Sequence, residues 1–206
     1  MKLNKSCIDR RNQLLKEKLM DELNTQIISE FSDKGIVIGN GSLNSRVLLI
    51  GEAPGAKEVE QKKPFVGQAG KHLQEFLDIL QLDRNDLYIT NTVKFRPTKE
   101  SKKTGGKINR APTKSEINQF KGYLFKEINI VSPQIIVTLG NVPLKTILQD
   151  EQATIGDYHG KKLKTTILDT DYILFPLYHP AAVIYRRELR EVYLNDLRQL
   201  ALLLET

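Results

Sequence analysis

The chain is poor in the residues that carry metal and redox chemistry. It contains one cysteine, Cys7, three histidines and no tryptophan. A lone cysteine forms no internal disulfide and supplies no multi-thiolate metal site, so two common chemistries of small proteins are excluded. No apolar run reaches the roughly eighteen residues that a membrane-spanning helix needs. The opening MKLNKSCIDRRNQ also lacks the apolar middle region of a secretory signal. A cytoplasmic protein without a membrane partner is therefore expected. Neither a G-x-x-x-x-G-K-[ST] phosphate loop nor a G-x-G-x-x-G following a strand is present, which argues against a nucleotide-binding enzyme. Acidic residues are the smaller charged class, 25 against 31 Lys plus Arg, giving a net charge of +6. That balance suits a polyanionic partner and equally suits a mildly basic protein without one.

What is present is enough apolar material, 40% of 206 residues, for one core. The expectation is a single domain over residues 1–206, with 1–35 as an N-terminal helical extension. Leu15, Leu19, Leu23 and Ile27 recur at helical spacing in that extension. Arg46 to Ile50 reads as a buried strand that stops at Gly51-Glu-Ala-Pro-Gly55. Leu73, Phe76, Leu77 and Leu80 form a helical stripe, followed by a strand from Leu87 to Thr90 that ends at Asn91. Thr113-Lys-Ser-Glu116 has the form of a capping box opening a helix with Ile117, Phe120, Leu124 and Ile128 on its apolar face. A third strand, Gln134 to Leu139, stops at Gly140-Asn141, where Asn141 and Pro143 are read as a cap and an early helical proline. A fourth, Tyr172 to Tyr178, ends in His179-Pro180, and Leu189, Val192, Leu197, Leu200 and Leu204 mark a terminal helix.

Strands alternating with helices imply an α/β three-layer sandwich, with a central parallel four-stranded sheet flanked by helices. GEAPG, TN, LGN and YHP each follow a strand directly, so a parallel sheet gathers all four at its carboxyl edge, where open α/β sheets bind ligands.

The ordered set Gly51-Glu-Ala-Pro-Gly55, Pro64-Phe-Val-Gly67, Ala69-Gly70, Thr90-Asn91, Arg96-Pro97, Asn109-Arg110, Leu139-Gly140 and His179-Pro180 resembles the uracil-DNA glycosylase superfamily, and within it the family-four enzymes. The resemblance covers roughly residue 36 to the C-terminus. It implies a DNA repair enzyme, acting as a monomer on uracil-containing DNA, that flips uracil out and hydrolyses its N-glycosidic bond to leave an abasic site. A DNA-binding or damage-sensing protein that keeps the fold without turnover is the alternative. A relative that links covalently to the abasic product through an insert histidine is excluded, because residues 98 to 110 contain none.

Bond cleavage leaves negative charge on uracil, so the site needs a donor at O2 and anionic or dipolar support opposite. The resemblance implies that His179 is that donor, that Phe65 stacks on the flipped base, and that the Asn91 amide reads the ring with one donor and one acceptor. Without it, Phe65 would read as core and Asn91 as a turn former. Glu58 is expected to position the water and Glu52 to line the loop near the uracil C5 edge. Gly51, Ala53 and Gly55 are expected at the base, although family-one enzymes carry an aspartate where Ala53 stands and a tyrosine where Gly55 stands. The basic insert 94–110 offers Lys102, Lys103, Lys107 and Arg110 to phosphates, and Asn141, Arg186 and Arg187 join the expected DNA contacts. Val183, Ile184 or Tyr185 is expected to fill the gap left by the base.

One departure from family four is complete. Those enzymes characteristically hold an iron-sulfur cluster on four cysteines. Here Phe95 and Phe120 stand at two of the matching positions and the stretch before residue 40 has no paired cysteines. A variant with no metal and no cofactor is expected, with the two aromatic rings plugging the vacated volume beside the N-terminal helix.

Overall fold

A computed structural model describes residues 5–186 and 188–205, apart from the side chains of residues 5–8, 184 and 185. The chain begins with α1 (Lys5–Glu30), β1 (Asn40–Gly41), β2 (Val47–Gly51), α2 (Ala56–Gln61) and α3 (Gln68–Leu80). A 3₁₀ turn at Arg84–Asp86 leads into β3 (Leu87–Asn91), the hairpin strands β4 (Thr98–Glu100) and β5 (Lys107–Asn109), and α4 (Lys114–Val131). Then come β6 (Ile135–Leu139), α5 (Asn141–Leu148), α6 (Ile155–Tyr158), β7 (Leu163–Ile167), β8 (Thr170–Leu177), α7 (Pro180–Tyr185) and α8 (Leu189–Leu204).

The main sheet runs in the order β1-β3-β2-β6-β8-β7. Its middle four strands, β3-β2-β6-β8, are parallel and correspond to the four runs read from the sequence. The four-stranded expectation is corrected at the edges, where β1 and β7 each add an antiparallel strand and bring the sheet to six. Strands β7 and β8 are joined by Leu168 and Asp169, both at positive φ (47° and 62°). That geometry is a two-residue I′ turn, usually announced by Asn-Gly or Asp-Gly. Leu-Asp carries no such signal, so the hairpin was not legible.

Alternation along the strands assigns their two faces. Leu48, Ile50, Tyr88, Ile136 and Leu174 pack in one core with residues of α1, α4 and α5. Their neighbours Val47, Leu49, Leu87, Ile89, Val137 and Phe175 pack in a second core with residues of α3 and α8. A period-two alternation between two apolar cores is the signature of a sheet covered on both faces.

The buried stripe of α1 keeps two of the four residues expected, Leu23 and Ile27, and replaces the other two. Met20, Leu23 and Ile27 are buried, and Phe31 continues them just past the helix, whereas Leu15 and Leu19 are 54% and 41% exposed. The helix sits against α4, and its orientation follows Met20 and Phe31. Among the described residues no helix is long and apolar enough to cross a membrane. The insert after β3 is also more ordered than a solvated loop: residues 98–100 and 107–109 pair as an antiparallel hairpin.

Candidate functional site

The ends of β2, β3 and β8 bring the site together, while Gly140 and Asn141, after β6, line neither of its cavities. Gly51 and Asn91 end adjacent strands in register, and the chain after Asn91 stays tied to the first loop. Thr92 donates both its amide and its hydroxyl to the Gly51 carbonyl (2.9 and 3.0 Å), and the Val93 amide donates to Glu52 O at 3.1 Å. A cleft of about 400 Å³ opens over these ends, lined by Ala53, Gly55, Glu58, Phe65, Asn91, Asn109 and His179. A smaller chamber of about 290 Å³ adjoins it, sharing Ala53, Asn109 and His179 and adding Glu52 and Pro54. The sequence-derived residues Gly51, Ala53, Gly55, Glu52, Glu58, Phe65, Asn91 and His179 therefore meet at one edge. A larger, shallower groove of about 930 Å³ along the outer face of α1 holds charged and hydroxyl side chains but none of these groups.

Gly51 keeps the floor of the cleft open. A Cβ there would lie 2.5 Å from Asn91 Oδ1 and 2.6 Å from the Phe65 ring, so any side chain would displace one of the two. Asn91 is buried, with its carbonyl accepting from Lys94 Nζ at 2.8 Å. Phe65 is only 6% exposed and packs in the second core while one face of its surroundings lines the cleft. It is at once a core residue and a wall of the site.

His179 is the N-cap of α7, with Pro180 as the first helical residue. Its Nδ1 accepts the Ala181 amide at 3.2 Å. An accepting Nδ1 is unprotonated, so the ring proton sits on Nε2. Burial pulls the His179 pKa below the ordinary histidine value, which favours that neutral tautomer. The result is a neutral imidazole with an N–H donor at the junction of cleft and chamber.

The two glutamates of the first loop differ. Glu58 is buried and accepts three backbone amides: Gly55 at 3.1 Å, Val66 at 3.1 Å and Gly67 at 2.7 Å. It thereby staples the GEAPG loop to the PFVG loop, a task that the sequence reading did not give it. Glu52 is half-buried beside the smaller chamber, and burial raises its pKa above the usual glutamate value.

Asn109, quoted in a motif but given no role from sequence, lines both cavities. Arg96 Nε donates to its Oδ1 at 2.6 Å, leaving the amide NH₂ as the free end. Lys102, Lys103 and Lys107 are exposed on the β4–β5 hairpin. Arg110 is committed elsewhere: it binds Glu116 through two 2.7 Å contacts and also donates to Thr98 O and Ala111 O. This holds the hairpin to the start of α4, where the expected capping box between Thr113 and Glu116 is formed. The pairing with Arg110 draws the Glu116 pKa down to about 2. Asn141 is the first residue of α5, not its cap, which is Gly140; its Oδ1 accepts the Ile155 amide at 2.8 Å. Arg186 is exposed after α7, while Arg187 and the side chain of Ile184 lie outside the described residues.

Beneath Asn91, on the α1–α4 side, Lys94 is fully buried and pairs with Glu127 at 2.5 Å. Glu127 also accepts from Tyr88 and Thr90 (2.9 and 3.0 Å). Next to this pair Phe120 stacks on Phe31 at 4.3 Å and meets Phe95 at 5.8 Å, with Lys34 Nζ 4.6 Å above the Phe95 ring. The aromatic plug expected of Phe95 and Phe120 is thus built, with Phe31 as a third ring. These residues do not fit an iron-sulfur cluster, whose irons need thiolates: Cys7 is the only cysteine, and among the described residues no three His, Cys, Asp or Glu side chains are placed to hold a metal.

Residues 38–199 match the family model described as the uracil DNA glycosylase superfamily. The chain is 36% identical over 168 residues to a type-4 uracil-DNA glycosylase of Sulfurisphaera tokodaii, covering 80% of this chain and 72% of that one. It is 37% identical over 170 residues to the type-4 enzyme of Saccharolobus solfataricus, covering 81% and 74%. The corresponding figures for the type-4 enzyme of Archaeoglobus fulgidus are 37% over 167 residues, 80% and 79%.

Proposed function

The chain belongs to the uracil-DNA glycosylase superfamily, and from that premise we propose that it removes uracil from DNA by flipping the base into the cleft and hydrolysing its N-glycosidic bond. The observation that carries this reading is that His179, whose Nδ1 accepts the Ala181 amide and so leaves Nε2 as the donor, lines the same cleft as Phe65 and Asn91. An extruded base needs a stacking surface, polar groups for its edge and a donor for the charge it takes away. Phe65 supplies the surface, the Asn91 amide the edge contacts, and His179 the donor.

In the proposed reaction the C1′–N1 bond breaks with its electron pair retained by uracil, and negative charge collects on O2. His179 Nε2–H donates to that oxygen throughout, so the imidazole remains neutral. A water oxygen then bonds to C1′ and its proton passes to a carboxylate, leaving an abasic site. Both oxygens of Glu58 already carry backbone hydrogen bonds. Three of its roughly four acceptor sites are thus taken, and we assign the water to Glu52 in the adjoining chamber instead, with the amide NH₂ of Asn109 as its second partner. Lys102, Lys103, Lys107 and Arg186 lie on the surface as phosphate contacts that position the strand without reading it.

The direct test is to incubate the protein with duplex and single-stranded DNA carrying one uracil, measuring free uracil and alkali-labile breaks. Release from uracil DNA, with the matching thymine DNA left whole, is the expected result. A folded protein that binds the uracil DNA but releases no base would overturn the reading in favour of a non-catalytic damage sensor.

A further inference from the structure

Phe65 has a backbone that its side chain does not favour. Its φ is +54°, in the left-handed region that disfavours residues with a Cβ. A bulky residue stays there only when its surroundings over-determine it, and such strain gathers at functional sites. Returning φ to the ordinary negative range would swing the Cα–Cβ bond relative to the flanking peptides and carry the ring away from the cleft.

Two side chains of opposite charge grip the segment from Pro64 to Gly67. Glu58 takes the amides of Val66 and Gly67. Arg84, from the 3₁₀ turn ahead of β3, takes the carbonyls: Nη2 donates to Pro64 O at 2.5 Å and Nη1 to Phe65 O at 3.2 Å. The two nitrogens of a planar guanidinium suit two successive carbonyls in a way that an ammonium does not. Gly70 completes the arrangement, because a Cβ there would lie 2.1 Å from the Phe65 carbonyl oxygen. The cation and the anion pull on the two ends of the Phe65–Val66 peptide in the sense of its own dipole. Neither Arg84 nor Gly70 is among the residues lining the cleft.

We propose that Arg84 is a positioning residue for base recognition: it locks Phe65 in the left-handed conformation that presents its ring to the extruded base. The proposal rests on the reading of Phe65 as the stacking platform.

The test compares binding to two DNAs, one carrying non-cleavable 2′-fluorodeoxyuridine and one carrying a tetrahydrofuran abasic analogue that has no base to stack. The ratio of the two affinities isolates the contribution of the base and cancels general losses of charge or fold. Arg84→Gln is expected to lower that ratio by about tenfold, the scale of one aromatic–base stacking contact. Arg84→Lys should recover part of the loss, and Gly70→Ala should reproduce it by crowding the same carbonyl. In a Phe65→Ala background the Arg84→Gln effect should vanish, since no platform remains to be positioned. An unchanged ratio in both Arg84→Gln and Gly70→Ala would overturn the proposal. So would an Arg84→Gln effect that persists undiminished without the Phe65 ring. Failure of the functional reading looks different: the unaltered protein would then show no preference for the uracil analogue and no uracil release.

Discussion

Glu127 and Glu58 are both buried carboxylates flanking the ends of β2 and β3, yet they are satisfied in opposite ways. Glu127 is held by side chains: Lys94, Thr90 and Tyr88. Glu58 is held by main-chain amides of two loops. The first arrangement fixes a helix to the sheet and is made of replaceable parts. The second fixes loop against loop, and its partners persist whatever the sequence becomes. The packed side beneath Asn91 is therefore open to coordinated substitution, while the cleft side depends on single residues that no second change can compensate.

The sharpest way to break this comparison is to remove one member of the packed pair. Lys94→Met leaves the Glu127 carboxylate buried without its cation, and breaking such a pair costs about 3–5 kcal/mol. Thermal or urea unfolding should show that loss. Lys94→Met combined with Glu127→Leu should restore part of it: both charge-desolvation penalties go, while the Tyr88 and Thr90 hydroxyls and the Asn91 carbonyl lose a partner. Burial draws the Lys94 pKa down against the opposing pull of Glu127, so lost solvation is a cost that the folded pair carries. A double variant no more stable than the single one would show that this side is as unforgiving as the cleft.

Next in size is the loss of the donor. His179→Ala should slow single-turnover excision by about a hundredfold or more while leaving DNA binding close to wild type, because its target charge develops only as the bond breaks; the lost cap of α7 should cost about 1 kcal/mol of stability. Rapid-mixing kinetics with unfolding curves as a control measure both. Near-wild-type cleavage by the folded variant would remove His179 from the leaving-group role.

Legibility in the sequence follows the same division. Strands β2, β3, β6 and β8 were readable because both faces of the sheet are covered, which gives short, nearly continuous apolar runs. Strand β7 was not: it lies at an edge, alternates exposed and buried residues, and turns through Leu168-Asp169. In α1 the count of leucines misled, since Leu15 and Leu19 face solvent while Met20 takes a buried place. His179 and Asn91 could be placed at strand ends from the sequence, and the site roles of both, like that of Phe65 in the loop before α3, came from the family resemblance. The partners that hold them could not be placed, because Arg84 and Lys94 act through main-chain carbonyls and His179 is held by the Ala181 amide, and such bonds leave no spacing pattern. Arg110 shows the converse, a basic residue in a basic insert whose charge is committed to Glu116.

The Glu52 carboxylate gives a pH test of intermediate size. Its folded-state pKa is raised by burial, so it loses its charge at a higher pH than an ordinary glutamate does. If the ionised form holds the water, excision falls as pH drops through that raised value and is complete above it. The acid limb of the single-turnover profile should therefore lie above the usual glutamate range, and Glu52→Gln should lower the plateau and flatten that limb. A limb unchanged in Glu52→Gln would return the water role to Glu58 and erase the distinction between the two loop glutamates.

The smallest expected effect lies at the hairpin, where the comparison becomes one between spent and free charge. Arg110 and Lys102, Lys103 and Lys107 belong to the same basic insert, but Arg110 is bound to Glu116 while the three lysines are exposed. A cation already paired releases few counterions on meeting a phosphate, whereas a free lysine releases its full share. Each phosphate contact contributes about 0.9 to the slope of log affinity against log salt on duplex DNA. Replacing the three lysines with glutamine should therefore weaken binding at low salt and flatten that slope, with little change in the ratio of uracil to thymine DNA affinity. Arg110→Gln should leave the slope nearly unchanged and instead loosen the hairpin, seen as faster exchange of the amides at Ser101 and position 110, which bond across it to Gly106 O and Pro97 O. A salt series in which Arg110→Gln flattens the slope as much as the lysine changes would mean that the Glu116 pair opens on DNA, and that the charge is held in reserve for the phosphate.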